Sequence, residues 1–156
     1  MDLDVERRRV ATARAVLWSW WAAGGATLNL TPPCRIVIAD DTPDIRMLLR
    51  WSLEPDDRFE IVGEATNGAE AVQLIGSLDV DAILLDLAMP VMDGLQAIPQ
   101  IKLASPSTRI IVLSGFDQES MAGEALSRGA DVYLEKGVAV AEIADVLTDL
   151  CRRGAA

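Results

Sequence analysis

The chain contains no histidine among its 156 residues. That absence excludes histidine metal ligands, histidine-based catalytic triads and a phosphohistidine carrier within the chain itself. Cysteine is nearly absent too: Cys34 and Cys151 are too few and too far apart in sequence for a metal cluster. A disulfide between them cannot be inferred without geometry, and a reduced, cytoplasmic protein is the plain expectation. No apolar run is long enough to span a membrane. Basic residues are in the minority, 14 Lys and Arg against 24 Asp and Glu, which gives a net charge of -10 and a pI of about 4.4. Phosphate backbones and anionic lipid would repel such a surface, so direct nucleic-acid binding by this chain is not expected, whereas cations and basic partner surfaces suit it. The chemistry left to the chain runs on carboxylates, hydroxyls and lysines.

What is present is ample apolar material, 51% of residues with a mean hydropathy of +0.24, enough for one globular domain with a sizeable core. Residues 1–33 differ from the rest, with an Arg cluster, three of the four tryptophans, a Gly-Gly break and a Pro-Pro stop. The Arg cluster and "VATARAVLWSWWAA" imitate a secretory signal, but acids precede the arginines and Arg14 interrupts the apolar part. Leu3, Val10 and Leu17 fall seven apart with Ala13 and Trp20 between, a weak stripe that suits either a partner-binding helix or a poorly ordered extension. Trp18, Trp20 and Trp21 are costly to leave in water, so packing on the domain, a second copy or a partner is expected of them.

From residue 34 onward short aliphatic runs alternate with helical segments. "RIVIAD" (35–40), "FEIVGEA" (59–65), "DAILLD" (81–86), "RIIVLS" (109–114) and "DVYLEK" (131–136) read as strands covered on both faces. Between them lie stretches long enough for right-handed crossovers. The first begins at Thr42-Pro43, a cap followed by proline, and sets Ile45, Leu48, Leu49 and Leu53 on one face. The last sets Val140, Ile143, Leu147 and Leu150 on one face. Pro99 is expected to kink or delay the third helix, and Gly123 to leave the fourth loosely held. Five βα units predict an α/β fold, a doubly wound five-stranded parallel sheet in the order 2-1-3-4-5. The expected division is an N-terminal extension at 1–33, the domain at 34–152 and a tail at 153–156.

Ligands of such sheets bind beyond the carboxyl ends of the strands, where strand order reverses. The runs end in Asp40-Asp41, Asp86, Ser114 and Lys136, and the reversal between strands one and three gathers Asp40, Asp41 and Asp86. Three carboxylates so close need a counter-charge, and a hard divalent cation such as Mg²⁺, sharing its shell with a phosphoryl oxygen, supplies it. Lys136 adds positive charge and Ser114 a donor, so Asp86 is expected to act as a nucleophile toward a phosphoryl group. Taken singly, an Asp-Asp pair is a solvated helix start, Asp93-Gly94 a turn signal and Lys136 a surface lysine.

At "IADD", "LLDLAMPVMDG", "VLSG" and "GADVYLEK" the chain resembles the receiver domain of bacterial two-component response regulators, over roughly Cys34 to Arg152. The resemblance implies a flavodoxin-like receiver fold. It implies that Asp86 is the phosphoacceptor and that Asp40, Asp41, Asp86 and the backbone carbonyl of Ala88 hold Mg²⁺. Ser114 and Lys136 then bind the phosphoryl oxygens, with Ser114 and Tyr133 as the switch pair. The implied donor is a phosphohistidine on a sensor histidine kinase. The implied output is a changed surface on the fourth helix, fifth strand and fifth helix, read by a protein partner or a second copy. Gly137 stands where many members have proline, so the cis peptide that shapes their loop is not implied. "YLEKG" looks more like the subfamily joined to a helix-turn-helix DNA-binding domain, yet only "CRRGAA" follows Leu150. A free-standing receiver and a fragment of a longer regulator both remain open. A phosphorylation-independent interaction module is the alternative, disfavoured by the presence of Asp86, Ser114 and Lys136. An aspartyl-nucleophile phosphatase fits poorly, because it wants an acid two residues after the nucleophile, where this chain has Ala88.

Overall fold

The computed structural model describes residues 31–115 and 119–154, the backbone alone at 119 and 120. The helix considered for the N-terminal extension, and its tryptophans, lie outside the described residues. Strands and helices alternate along the described chain: β1 (Cys34–Ala39), α1 (Pro43–Leu53), β2 (Phe59–Ala65), α2 (Gly68–Ser77), β3 (Ala82–Leu85), α3 (Gly94–Ala104), β4 (Arg109–Ser114), α4 (Glu119–Arg128), β5 (Val132–Glu135) and α5 (Val140–Gly154). The strands form one parallel sheet in the order β2-β1-β3-β4-β5, as the alternation predicts. No helix among the described residues is long and apolar enough to cross a membrane.

Alternate residues of each strand face opposite sides, so the sheet builds two cores. Val37, Ala39, Ile83, Leu85, Ile110 and Val112 pack against α2, α3 and α4. Ile36, Ile38, Ala82, Leu84, Ile111 and Leu113 pack against α1 and α5. Ile83 and Leu84, adjacent in β3, are both essentially inaccessible, which is why that strand is apolar at every position.

The helices depart from expectation in instructive places. In α1 Leu49 and Leu53 are buried, but Leu48 is exposed beside Met47 and Trp51. The buried stripe follows the i, i+4 spacing of Ile45, Leu49 and Leu53, and Leu48 falls off its edge. Thr42 occupies the N-cap with Pro43 behind it, yet its hydroxyl makes no cap bond; the Asp40 carboxylate instead accepts the Thr42 N–H at 2.9 Å. The third helix is not delayed by Pro99 and begins at Gly94. A capping box starts it, Asp93 accepting from the Gln96 N–H at 2.8 Å while Gln96 accepts from the Asp93 N–H at 3.2 Å. In α5 Ile143, Leu147 and Leu150 are buried as the periodicity requires.

The plain expectation of two reduced cysteines is also corrected. Cys34 opens β1 and Cys151 lies in the last turn of α5, and the fold joins them in a disulfide with Cα atoms 6.1 Å apart. The 117 residues between them hide this proximity from a reading along the chain. By loop-closure entropy such a link contributes on the order of 5 kcal/mol.

At the opposite end of the sheet from the strand-end acids, Asp131 ties α3, β4 and β5. Its carboxylate accepts from the Ile110 N–H at 2.8 Å, Lys102 Nζ at 3.1 Å and Arg109 Nη1 at 3.2 Å. Burial pushes this carboxyl up, but those three donors outweigh it and hold it below the ordinary carboxylate range.

A group with a depressed folded pKa contributes above its unfolded pKa and loses that contribution as pH falls through the folded value. Asp131→Asn is therefore expected to cost about 2 kcal/mol at pH 7 in urea unfolding, the gap closing below pH ~4; a gap independent of pH contradicts this account. Cys151→Ser is expected to lower the thermal midpoint in oxidising buffer and to match the wild type once that is reduced. Two titratable thiols in the oxidised, unfolded wild type would contradict the link.

Candidate functional site

Each strand of the central trio stops one residue before a charged or hydroxyl side chain, or on it. Asp40 follows β1, Asp86 follows β3, and Ser114 ends β4, with Lys136 following β5. The parallel register carries all four to the same edge, since Ala39 pairs with Leu85 and Ser114 with Glu135. Asp40 and Asp86 are 3% and 4% exposed, unusually deep for carboxylates, while Asp41 is exposed at the rim. One oxygen from each of Asp40, Asp41 and Asp86 lies within 4.8 Å of the others.

Lys136 enters this group from β5. Its Nζ is 2.7 Å from Asp40 Oδ2 and 3.2 Å from Asp86 Oδ2. Burial of the ammonium lowers its pKa, but the two carboxylates outweigh that and leave it raised, so it stays charged. Asp86 is pushed up, first by burial and then by the Asp40 charge, with Lys136 and the Ala88 N–H pulling the other way. Ala88 N donates to Asp86 Oδ1 at 3.3 Å. Among the described residues three carboxylates face one ammonium, which leaves the cluster formally two charges negative, and the Asp40 charge adds to burial in raising Asp86. An all-oxygen set of this charge fits a hard divalent cation that keeps waters and shares its shell with a phosphate.

The backbone around the acids is braced. Asp40 N donates to Ala65 O at 3.1 Å and Asp86 N to Ala39 O at 2.9 Å, extending the ladder past the strand ends. Arg46 of α1 donates from Nη1 to the Asp40 carbonyl at 2.7 Å. Gly94 N donates to Leu87 O at 2.9 Å, and a Cβ at Gly94 would come within 2.3 Å of the Asp86 carbonyl oxygen. Glycine is required there because the start of α3 presses on the peptide that carries Asp86. Neither Arg46 nor this role of Gly94 stood out in the sequence, where Asp93-Gly94 looked like a turn signal. Between Asp86 and Gly94 the exposed Val91 holds φ +69, a strained conformation for a β-branched residue, and Met92 N donates back across it to Pro90 O at 2.8 Å.

Ser114 is wholly buried, and its carbonyl accepts the Lys136 N–H at 2.7 Å, linking β4 and β5 beside the acids. Tyr133 is not among the acids: it pairs with Val112 one strand away and packs, half-buried, on the α2–α4 core. Gly137, after the lysine, has φ +114, and no cis peptide bond occurs among the described residues.

Known proteins share both the sequence pattern and the fold. The nitrate/nitrite response regulator protein NarL of Escherichia coli K12 is 41% identical over 104 residues, covering 67% of this chain and 48% of NarL, so the chain spans about half of that relative. The signal receiver domain of the response regulator NarL from Mycobacterium tuberculosis superposes with a TM-score of 0.74 at 32% identity, covering 77% of this chain and 97% of that one. CheY in the CheX-CheY-BeF3-Mg²⁺ complex from Borrelia burgdorferi superposes at 0.71 with 25% identity, covering 76% of this chain and 89% of that one. The family model for the response regulator receiver domain matches residues 36–148, more than half of the chain. With its five-stranded parallel sheet and acids at the strand ends, this chain belongs to the response regulator receiver domains of two-component systems.

Proposed function

We propose that the chain is a phosphorylation-dependent switch in which Asp86 accepts a phosphoryl group from a phosphohistidine of a sensor histidine kinase. The observation that carries this reading is the bridging of two buried carboxylates, Asp40 and Asp86, by one ammonium, Lys136, with Asp41 at the rim. In the transfer, the phosphorus–nitrogen bond of the donor breaks, a phosphorus–oxygen bond forms to an Asp86 carboxylate oxygen, and the donor imidazole takes up a proton. Most of the catalytic demand is positioning and charge neutralisation, so a chain without a base of its own suffices.

Mg²⁺, held by Asp40, Asp41, Asp86 and the Ala88 carbonyl, would supply charge neutralisation for the incoming phosphoryl oxygens. Lys136 then trades its hold on Asp86 for a phosphoryl oxygen, and Ser114 donates to another. The chain catalyses its own phosphorylation and dephosphorylation and turns over no other substrate. The presence of BeF3 and Mg²⁺ with the structurally similar CheY supports this reading of the acids. Phosphorylation draws Ser114 toward Asp86 and Tyr133 inward, which shifts the α4-β5-α5 surface offered to a protein partner or a second copy. The partner is a protein and not nucleic acid, in keeping with the net charge of -10. A cytoplasmic setting, where the kinase presents its phosphohistidine, goes with this reading and requires the Cys34–Cys151 link to form in a compartment that ordinarily keeps thiols reduced.

Intact-mass measurement after incubation with Mg²⁺ and acetyl phosphate tests the proposal. The wild type is expected to gain one phosphoryl group and Asp86→Asn none, while Lys136→Met slows labelling about a hundredfold. No gain under conditions that label another receiver would overturn phosphorylation and leave a binding module.

A further inference from the structure

Pro99 is inside α3 and carries no N–H, so the Leu95 carbonyl, four residues earlier, lacks the donor that an ordinary helix supplies from its own chain. The donor comes from another helix. Arg128, in the last turn of α4, places Nη1 3.2 Å from Leu95 O. The rest of its guanidinium is held within α4 by Glu124, with Nη2 at 2.6 Å and Nε at 3.1 Å from Oε1. The planar fork is thus oriented by its own helix, and its remaining edge reaches across.

Other contacts hold the same end of α4. Gly129 follows Arg128 with φ +122, and a Cβ there would come 3.2 Å from Lys102 Cγ and 3.7 Å from Ile98 Cγ2, both on α3. Lys102 is itself fixed, donating to Thr108 O at 2.7 Å and to Asp131. Ala125, one turn earlier, is fully buried. The other half of α4 is held less: Met121 and Ala122 are only half-buried, and Gly123 weakens the helix where a Cβ would meet nothing within 4 Å.

We propose that Pro99 makes α3 a docking post for α4: the bond from Arg128 to the orphaned Leu95 carbonyl pins the C-terminal end of α4, so that any phosphorylation-driven displacement is a swing of its N-terminal half. The pin stands on the geometry alone, whereas the swing rests on Asp86 being the phosphoacceptor.

Hydrogen exchange on the full, unphosphorylated chain tests the pin. Arg128→Met is expected to speed exchange over residues 124–128 about fivefold, and Glu124→Gln, which keeps the Leu95 bond, much less. In a Pro99→Ala background, where the backbone N–H regained at that position serves the Leu95 carbonyl, the Arg128→Met effect is expected to fall by half or more. No acceleration, an equal effect from Glu124→Gln, or a full effect in the Pro99→Ala background would each overturn the pin. Should Arg128→Met fail to fold, Arg128→Lys, which loses the fork and keeps the charge, is read by the same criteria. With Mg²⁺ and acetyl phosphate, the change in the wild type is expected over residues 119–123 and to spread to 128 only in Arg128→Met. A uniform change along α4 of the wild type would overturn the swing. Failure to phosphorylate, read from the mass of the same sample, would count against Asp86 as acceptor and against the swing that rests on it, while the unphosphorylated comparison still decides the pin.

Discussion

The ammonium of Lys136 lies between two carboxylates that the sheet has buried, and most of the architecture at that edge serves to keep them there. An ionised carboxylate in a nearly inaccessible position is costly unless paired. Asp40 and Asp86 remain because the ladder bonds past the strand ends, the Arg46 guanidinium on the Asp40 carbonyl and the press of Gly94 on the Asp86 peptide leave their backbones nowhere to go. One ammonium leaves the cluster short of positive charge. Burial first and the Asp40 charge second raise Asp86, and the proposed divalent cation and phosphoryl group would meet that shortfall, the latter bringing Lys136 a new partner.

The two ends of the sheet divide the work. At the carboxyl end, side chains are arranged with an unbalanced charge and the strained Val91 beside them. At the amino end, Asp131 is met by three donors, and the start of β1 is linked to the end of α5 by Cys34–Cys151. Stability is concentrated where no chemistry is proposed, and the end proposed to react is left with interactions that a bound group could exchange. The same asymmetry recurs within α4, firmly seated at Arg128–Gly129 and lightly seated before Gly123.

The sheet and its acids were legible in the sequence because strands buried on both faces must be aliphatic throughout, so a carboxylate or lysine at a run's end stands out. Asp40, Asp41, Asp86, Ser114 and Lys136 were all placed at one edge by that logic. What stayed hidden depends on contacts between distant residues. Leu48 satisfies the helical period of α1 and still faces solvent, since the stripe that meets the sheet is narrower than the apolar run. Cys34 and Cys151 look unrelated until β1 and α5 are laid side by side. Gly94 reads as a turn until its missing Cβ is seen against Asp86, and Pro99 reads as a helix breaker until Arg128 is found serving the carbonyl it orphans.

We propose that Asp40, Asp41, Asp86 and Lys136 act as one site for a divalent cation and a phosphoryl-like group together. Calorimetric titration with beryllium fluoride tests it most directly. One site per chain is expected, requiring Mg²⁺ and abolished by Asp86→Asn and by Asp41→Asn. Binding that persists without Mg²⁺, or that survives loss of the Asp86 carboxylate, would contradict it.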